Sequence, residues 1–257
     1  MTRPTDSSAG IAPASAHTDH FARDHLPPPE LWPELRFDLP ELQYPPRLNC
    51  VAELLDGAAD VDGRTAILGE HGSWSYAVLR ERVDRIAHVL RGPMGLEAGN
   101  RVLLRGANNP MMAACILAVI KAGCIAVPTM PLLRARELAF IAGKSRVNAV
   151  LCAESLRAEL EAVDPPLPPA VRANTVWFGG ANCRLEALMA AQPARFEAVD
   201  TLADDVCLIS FTSGTTGIPK GTMHFHRDVL AICDCFPRSV LRSRRGDVFI
   251  GTPPLAF

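Results

Sequence analysis

Val206-Cys-Leu-Ile-Ser-Phe-Thr-Ser-Gly-Thr-Thr-Gly-Ile-Pro-Lys-Gly221 joins an apolar run to a loop dense in glycine, hydroxyl groups and one lysine. A run such as Val206–Ile209, apolar at every position, predicts a strand covered on both faces, the pattern of a parallel sheet. The loop after it cannot pack a core. Glycine loses more backbone freedom on folding than any other residue, so a loop this rich in it is costly to order without a ligand. The residue types point to an anion. Gly214, Gly217 and Gly221 let the backbone turn and come close, and successive N–H groups form a concave anion site. Thr212, Ser213, Thr215 and Thr216 add hydroxyl donors, Lys220 adds charge, and Pro219 stiffens the exit. In a parallel α/β sheet, ligands bind at the carboxyl ends of strands. The expected frame is a buried strand ending near Phe211, a solvent-accessible loop over Thr212–Gly221, and a helix from His226 to about Cys235.

Outward from this stretch, strands and helices alternate. Strands are predicted at Thr65–Leu68, Arg101–Leu104, Cys124–Val127 (closed by Pro128), Val147–Cys152, Thr175–Phe178 and Asp247–Ile250. Helices are predicted at Leu48–Ala58 with Asn49 as cap, from Ser75 as cap to Leu90, and from Pro110 to Ala122, where Gly123 ends the element. Further helices are predicted at Arg134–Lys144, Glu154–Val163 and Leu185–Ala191. The fold class that follows is α/β: mainly parallel sheets covered by helices. Asp164-Pro-Pro-Leu-Pro-Pro169 is the candidate subdomain boundary, near 164–170. Residues 1–20 lack periodicity and read as a disordered tail, with His17, His20 and His25 as solvated side chains. Residues 21–46 read as a proline-rich extended arm, because proline excludes regular helix while Trp32, Phe37 and Tyr44 argue for contact with the body. Residues 47–257 form the remaining domain.

The chain has 257 residues, 26 basic and 28 acidic, for a net charge of −2. That balance offers no case for nucleic acid or an anionic membrane as partner. The longest apolar run stops at Lys121, short of the roughly 20 residues a span requires. The start, Met1-Thr-Arg-Pro-Thr-Asp-Ser-Ser, lacks the apolar core of a signal peptide. Eight scattered cysteines read as small buried hydrophobes with reduced thiols, and the expected location is the cytosol. His224-x-His226 and Cys233-x-Cys235 lie close together, but two cysteines two apart on a helix diverge, and no metal is expected there. Arg242, Arg244 and Arg245 read as a solvated turn, and Met111-Met112 as core.

The glycine loop is not the common phosphate loop, since the position that should be its second glycine is Pro219. No Gly-x-Gly-x-x-Gly occurs in it either. Thr212-Ser-Gly-Thr-Thr-Gly-x-Pro-Lys-Gly221 resembles instead the signature of the adenylate-forming superfamily. Phe21–Pro28, Phe37–Asn49, Asn100–Met112, Met130–Glu137 and His224–Leu230 are similar to the benzoate and 2-aminobenzoate CoA ligase branch. That resemblance implies an AMP-forming ligase that joins an aromatic carboxylate to ATP and then passes the acyl group to coenzyme A. It implies that Thr212, Ser213, Gly214, Thr215, Thr216, Gly217, Lys220 and Gly221 hold the ATP phosphates, with Lys220 and Thr215 as phosphate stabilisers. It implies Phe257 as the acyl-pocket gate, and Mg2+ with its main protein ligand downstream. Family members are about twice as long, so this chain is expected to be an N-terminal portion, inactive alone. A homo-oligomer is compatible with the sequence. Two other readings stand: an inactive module serving only binding or oligomerisation, and an adenylation domain that loads a carrier protein, against which the arm Phe21–Asn49 argues.

Overall fold

The structure is a computed structural model that describes residues 14–57, 61–70, 72–181, 183–212, 218–251 and 253–256. After the short helix α1 (Phe21–Asp24), the chain runs to Pro46 through two single 3-10 turns, Pro29–Leu31 and Pro40–Leu42, each opened by proline. Proline suits that position because its φ is preset and it has no N–H to leave unpaired. Asn49 then starts a helical turn, its Oδ1 accepting the Val51 N–H at 3.2 Å. The turn widens to a π-helix over Ala52–Asp56.

The hairpin β1 (Thr65–Gly69) and β2 (Gly72–Ser75) leads into α2 (Tyr76–Arg91), which Ser75 caps through the Val78 N–H. There follow β3 (Arg101–Arg105), α3 (Pro110–Lys121), β4 (Ile125–Thr129), α4 (Ala135–Ser145) and β5 (Ala149–Ala153). Asn109 caps α3 by accepting the Met112 N–H at 2.8 Å. The segment predicted as one helix over Glu154–Val163 is a 3-10 turn followed by α5 (Arg157–Glu161). Next come α6 (Pro169–Ala173), β6 (Thr175–Phe178), α7 (Arg184–Ala190), β7 (Val206–Thr212), β8 (Lys220–Phe225) and α8 (His226–Phe236).

Six strands form one sheet in the order β6-β5-β3-β4-β7-β8, parallel from β6 to β7, with β8 antiparallel. Pro128 does not close β4 but lies inside it, opposite Leu104. The proline-rich stretch 164–169 lies in the crossover between β5 and β6, which pair in register, so both sides of it share one sheet. Alternate residues of each strand serve different cores. Val102, Leu104, Ala126 and Leu151 pack in the cluster that includes α2 and α3, while Leu103, Ile125, Val127 and Val150 pack in the one that includes α4. Two covered faces are why these strands read as continuous apolar runs.

Two arginines at the ends of the buried strand β3 meet carbonyl oxygens. Arg101 donates to Gly99, Ser145 and Arg146, and Arg105 to Met130, Pro131 and Leu133. Lys121 is buried at the end of α3, its Nζ 2.5 Å from Asp84 and 2.9 Å from Asp56. Burial raises the Asp84 carboxyl above its ordinary pKa, and Lys121 opposes that shift.

Residues 1–13 lie outside the described residues, and from Ser15 onward the chain is docked rather than a free tail. Asp205 accepts Ser15 Oγ–H at 2.5 Å, Arg23 Nη2 at 2.7 Å and the N–H of Leu202 at 2.9 Å. His17 is buried, not solvated, whereas His20 and His25 are exposed. Docking requires glycine at 99: a Cβ there would lie 2.2 Å from the Asp19 carbonyl oxygen, and φ is +88°. The arm continues over the body, with Trp32 against Phe225 at 5.7 Å between ring centroids and the Tyr44 hydroxyl donating to Asp234 at 2.9 Å.

Asp247–Ile250 is not a strand. It finds no strand to pair with among the described residues, and Val248, Phe249 and Ile250 are exposed. Ile232, Phe236, Val240 and Leu241 are exposed as well, a concentration of apolar surface of the kind that drives association. The turn from Arg244 to Asp247 is closed by the Asp247 carboxylate, which accepts the Arg244 N–H at 2.8 Å. No helix among the described residues is long and apolar enough to cross a membrane.

Lys121→Met leaves Asp84 buried without its counter-ion, which costs about 3–5 kcal/mol. A fall in Tm of roughly 10 °C is expected, and Lys121→Met with Asp84→Leu should recover most of it. Thermal unfolding followed by circular dichroism checks both.

Acid should loosen the docked segment. Burial holds the His17 pKa down to about 4 from 6.5, with Asp205 pulling it partly back. Between those values the unfolded chain takes up a proton that the folded chain does not. Stability is therefore whole above pH 6.5 and falls toward pH 4, by up to about 3 kcal/mol. In a series of Tm against pH, His17→Gln should flatten this window, and identical slopes for variant and wild type would refute the assignment.

Candidate functional site

The glycine loop hangs from a hairpin. β7 and β8 pair antiparallel through Leu208↔His224, Ile209↔Met223, Ser210↔Thr222 and Phe211↔Gly221 to Thr212↔Lys220. Ser213, Gly214, Thr215, Thr216 and Gly217 lie outside the described residues, so the two ends of the loop carry the geometry. Thr212 and Lys220 face each other across its base and both are exposed, as is Ile218. The helix expected from His226 starts there as α8, and an unexpected strand, β8, lies between it and the loop. The signal for β8 was in the sequence: Lys220, Thr222 and His224 alternate with Gly221, Met223 and Phe225, the period-two pattern of a half-covered strand.

Local contacts fix the hairpin. Thr222 Oγ1 donates to the Ser210 carbonyl at 2.9 Å. Gly221 sits against the side chains of its own sheet: a Cβ there would lie 3.1 Å from Ile209 Cγ2 and 3.2 Å from Phe211 Cζ. Its glycine thus serves close packing at the base of the loop as well as backbone freedom.

The position of the loop at the sheet edge follows from topology. β3, β4, β5, β6 and β7 are parallel, so their carboxyl ends, from Arg105 to Thr212, share one edge. The crossovers after β3 and β4 leave toward opposite faces, α3 into one core and α4 into the other. Such a switch point usually opens a ligand crevice. Here Arg105 occupies it, bound to the three carbonyls beyond β4, and Thr129 Oγ1 donates to the Leu104 carbonyl at 2.9 Å. Burial depresses the Arg105 pKa, though arginine stays charged. The open ground lies farther along. β7 and β4 share the registered pair Ala126↔Leu208.

Two clefts flank this edge. One, of about 780 Å³, is lined by Phe140, Lys144, Phe211, Lys220 and Met223 among others. The second, of about 1080 Å³, runs between β1 and the segment before the chain end, and includes Asn108, Asn109, Phe249 and Leu255. Asn108 was not singled out from sequence, yet it ties that segment down. Its Nδ2 donates to the Pro253 carbonyl and its Oδ1 accepts the Leu255 N–H, both at 2.8 Å. Ala256 is thereby buried beside the edge. Phe257, the expected gate, lies outside the described residues. An asparagine pairing with a remote backbone leaves no periodic trace, so only the fold reveals it. The paired His224/His226 and Cys233/Cys235 do not converge: both cysteines are exposed, while His226 is buried against Cys50.

Comparison with known proteins gives this geometry a context. The family model for AMP-binding enzymes matches residues 56–257. The benzoate–CoA ligase of Thauera aromatica is 30% identical over 222 residues, which is 85% of this chain and 42% of that protein. The ATP-bound crystal structure of MatB from Rhodopseudomonas palustris superposes with a TM-score of 0.71 at 30% identity, over 81% of this chain and 41% of that one. The anthranilate CoA ligase AuaEII in complex with anthranoyl-AMP shares the fold, with a TM-score of 0.73 at 22% identity, over 79% of this chain and 39% of that one. The chain thus spans about two fifths of the length of the relatives it matches.

Asn108→Ala should release the segment 253–255 while leaving the sheet intact. Amide hydrogen exchange at Leu255 is expected to accelerate by roughly tenfold, the worth of a hydrogen bond of about 1.4 kcal/mol. Exchange in β3 and β4 should not change.

Proposed function

The chain belongs to the family of AMP-binding enzymes, and from that premise we propose that it is the N-terminal, phosphate-binding portion of an AMP-forming aryl-CoA ligase. One observation carries the reading. A loop of glycines, hydroxyls and a lysine spans from Thr212 to Lys220, which are paired at the carboxyl edge of a parallel sheet. An aromatic acid as substrate is supported by the benzoate-like stretches of the arm and by the name of the Thauera aromatica relative.

In the proposed reaction a carboxylate oxygen attacks the α-phosphorus of ATP. The bond to the β-phosphate oxygen breaks, and pyrophosphate leaves with the electron pair. Thr212, Ser213, Gly214, Thr215, Thr216, Gly217, Lys220 and Gly221 hold the β- and γ-phosphates, where negative charge accumulates. Preorganised N–H and O–H donors are most useful at such a place, because they need not reorganise as the charge appears. Lys220 and Thr215 act as phosphate stabilisers, one by its charge and the other by its hydroxyl donor. When bound, Mg2+ adds positive charge to the phosphates, its main protein ligand lying in the part of the relatives this chain does not span. In the second step the thiol of coenzyme A attacks the acyl carbon, and AMP leaves. Phe257 is the acyl-pocket gate in this reading.

Phosphate binding by the chain itself tests this reading. Titration of tripolyphosphate against the 257-residue chain, followed by calorimetry, should show binding that Lys220→Ala and Thr215→Ala each weaken by about tenfold or more. AMP, which lacks the β- and γ-phosphates, should bind no differently to the variants. Tripolyphosphate binding unaffected by either substitution would overturn the assignment. Acid-dependent pyrophosphate release with benzoate or 2-aminobenzoate is expected to stay at background for this chain alone, because the portion it lacks would supply the other nucleotide contacts.

A further inference from the structure

Cys50, Cys207 and His226 come together from three elements: the turn after the arm, the start of β7, and the first residue of α8. Cys50 and His226 are 176 residues apart in the chain, yet His226 Nδ1 lies 3.3 Å from Cys50 Sγ. The two sulfurs and a ring nitrogen of His226 all lie within 4.8 Å of one another, and all three residues are fully buried. His226 Nδ1 also accepts the Cys50 backbone N–H at 3.2 Å, which assigns the ring proton to Nε2 and makes Nδ1 the nitrogen that carries the lone pair. Nε2 is buried without a hydrogen-bond partner. Among the described residues no other group of three histidine, cysteine or carboxylate side chains has this arrangement.

We propose that Cys50, Cys207 and His226 bind one Zn2+ ion through the two sulfurs and His226 Nδ1. Zinc–sulfur bonds of about 2.3 Å and a zinc–nitrogen bond of about 2.0 Å put ligand atoms roughly 3.5–3.8 Å apart around a tetrahedral ion. The observed group needs side-chain adjustment of only about 1 Å to reach that. On binding, both thiols release their protons to solvent. The ion takes the lone pair that now receives the Cys50 amide, and its fourth position falls to a small non-protein ligand. Charge decides between thiophilic ions. Two thiolates and Zn2+ make a neutral unit, whereas two thiolates and Cu+ leave a net negative charge in an apolar core, which is costly. The site lies five residues before Thr212, about 17 Å back along β7. It is a structural tie that joins the first turn of the body, the strand bearing the glycine loop, and α8.

The chain is produced with Zn2+ present, purified under reducing conditions, freed of loose metal and weighed by native mass spectrometry. About one zinc per chain is expected. Production with Co2+ should give the near-ultraviolet sulfur-to-cobalt charge-transfer band of a thiolate site. Cys207→Ala and His226→Asn should lose the metal, and the double variant Cys233→Ala, Cys235→Ala should keep it. Circular dichroism establishes that each variant is folded. Should the core variants not fold, the wild type and the exposed-cysteine variant still decide the matter. A folded wild type without zinc, or zinc that leaves with Cys233 and Cys235, overturns the proposal. So do zinc retained by folded Cys207→Ala, and copper in place of zinc.

Discussion

Strand β3 is buried with a guanidinium at each of its ends, and the carbonyls that receive these two cations organise the molecule. An arginine keeps its charge in a protein interior, so its terminal nitrogens draw acceptors to them, while Arg105 Nε stays buried without a partner among the described residues. Arg101 finds the carbonyls of Gly99, Ser145 and Arg146, with the Asp19 carboxylate 2.5 Å away. Arg105 finds those of Met130, Pro131 and Leu133. The amino edge of the sheet is thus bound to the end of α4 and to the N-terminal segment. The carboxyl edge is bound to the chain leaving β4. Between these ends, Val102, Leu103 and Leu104 are wholly buried and serve both cores.

This arrangement relocates the ground available to a ligand. The switch point between β3 and β4 is filled by Arg105, and one cleft is lined instead by Phe211 of β7 and Lys220 of β8. An antiparallel partner, β8, then takes up the free side of β7 and returns the chain from the glycine loop. A loop on a hairpin is held at both ends by paired backbone. That limits where its donors can go while leaving the loop itself adaptable.

The strand that carries the loop is also held at its other end. Asp205, immediately before β7, gathers Ser15, Arg23 and the Leu202 amide. Burial alone would raise the pKa of this carboxyl, but the hydrogen bonds from Ser15, Leu202 and Arg23 take it below its ordinary value. The residues that place β7 are therefore polar, far apart in the chain, and distinct from the apolar residues that place the sheet.

The α/β class, most strand positions and the caps Asn49 and Ser75 were legible in the sequence, whereas the loop expected over Thr212–Gly221 is narrower, since Thr212 ends β7 and Lys220 and Gly221 open β8. Each rests on local information: apolar periodicity, a cap within one turn, glycine and hydroxyl density along a few residues. The alternation in Lys220–Phe225 was equally local and pointed to a strand where only a loop and a helix were expected. Asp247–Ile250 shows the converse, since four strand-like residues form no strand without a neighbour to pair with. What sequence by itself determined is thus the α/β class and most of its elements. The burial of His17 under Asp205, the closing of the switch point by Arg105, the anchoring of 253–255 by Asn108 and the meeting of Cys50 with Cys207 and His226 were decided by tertiary structure alone. Each joins groups separated along the chain through no more than a few hydrogen bonds or contacts. Such pairings leave no periodicity, because only the packing of the sheet brings the partners within reach.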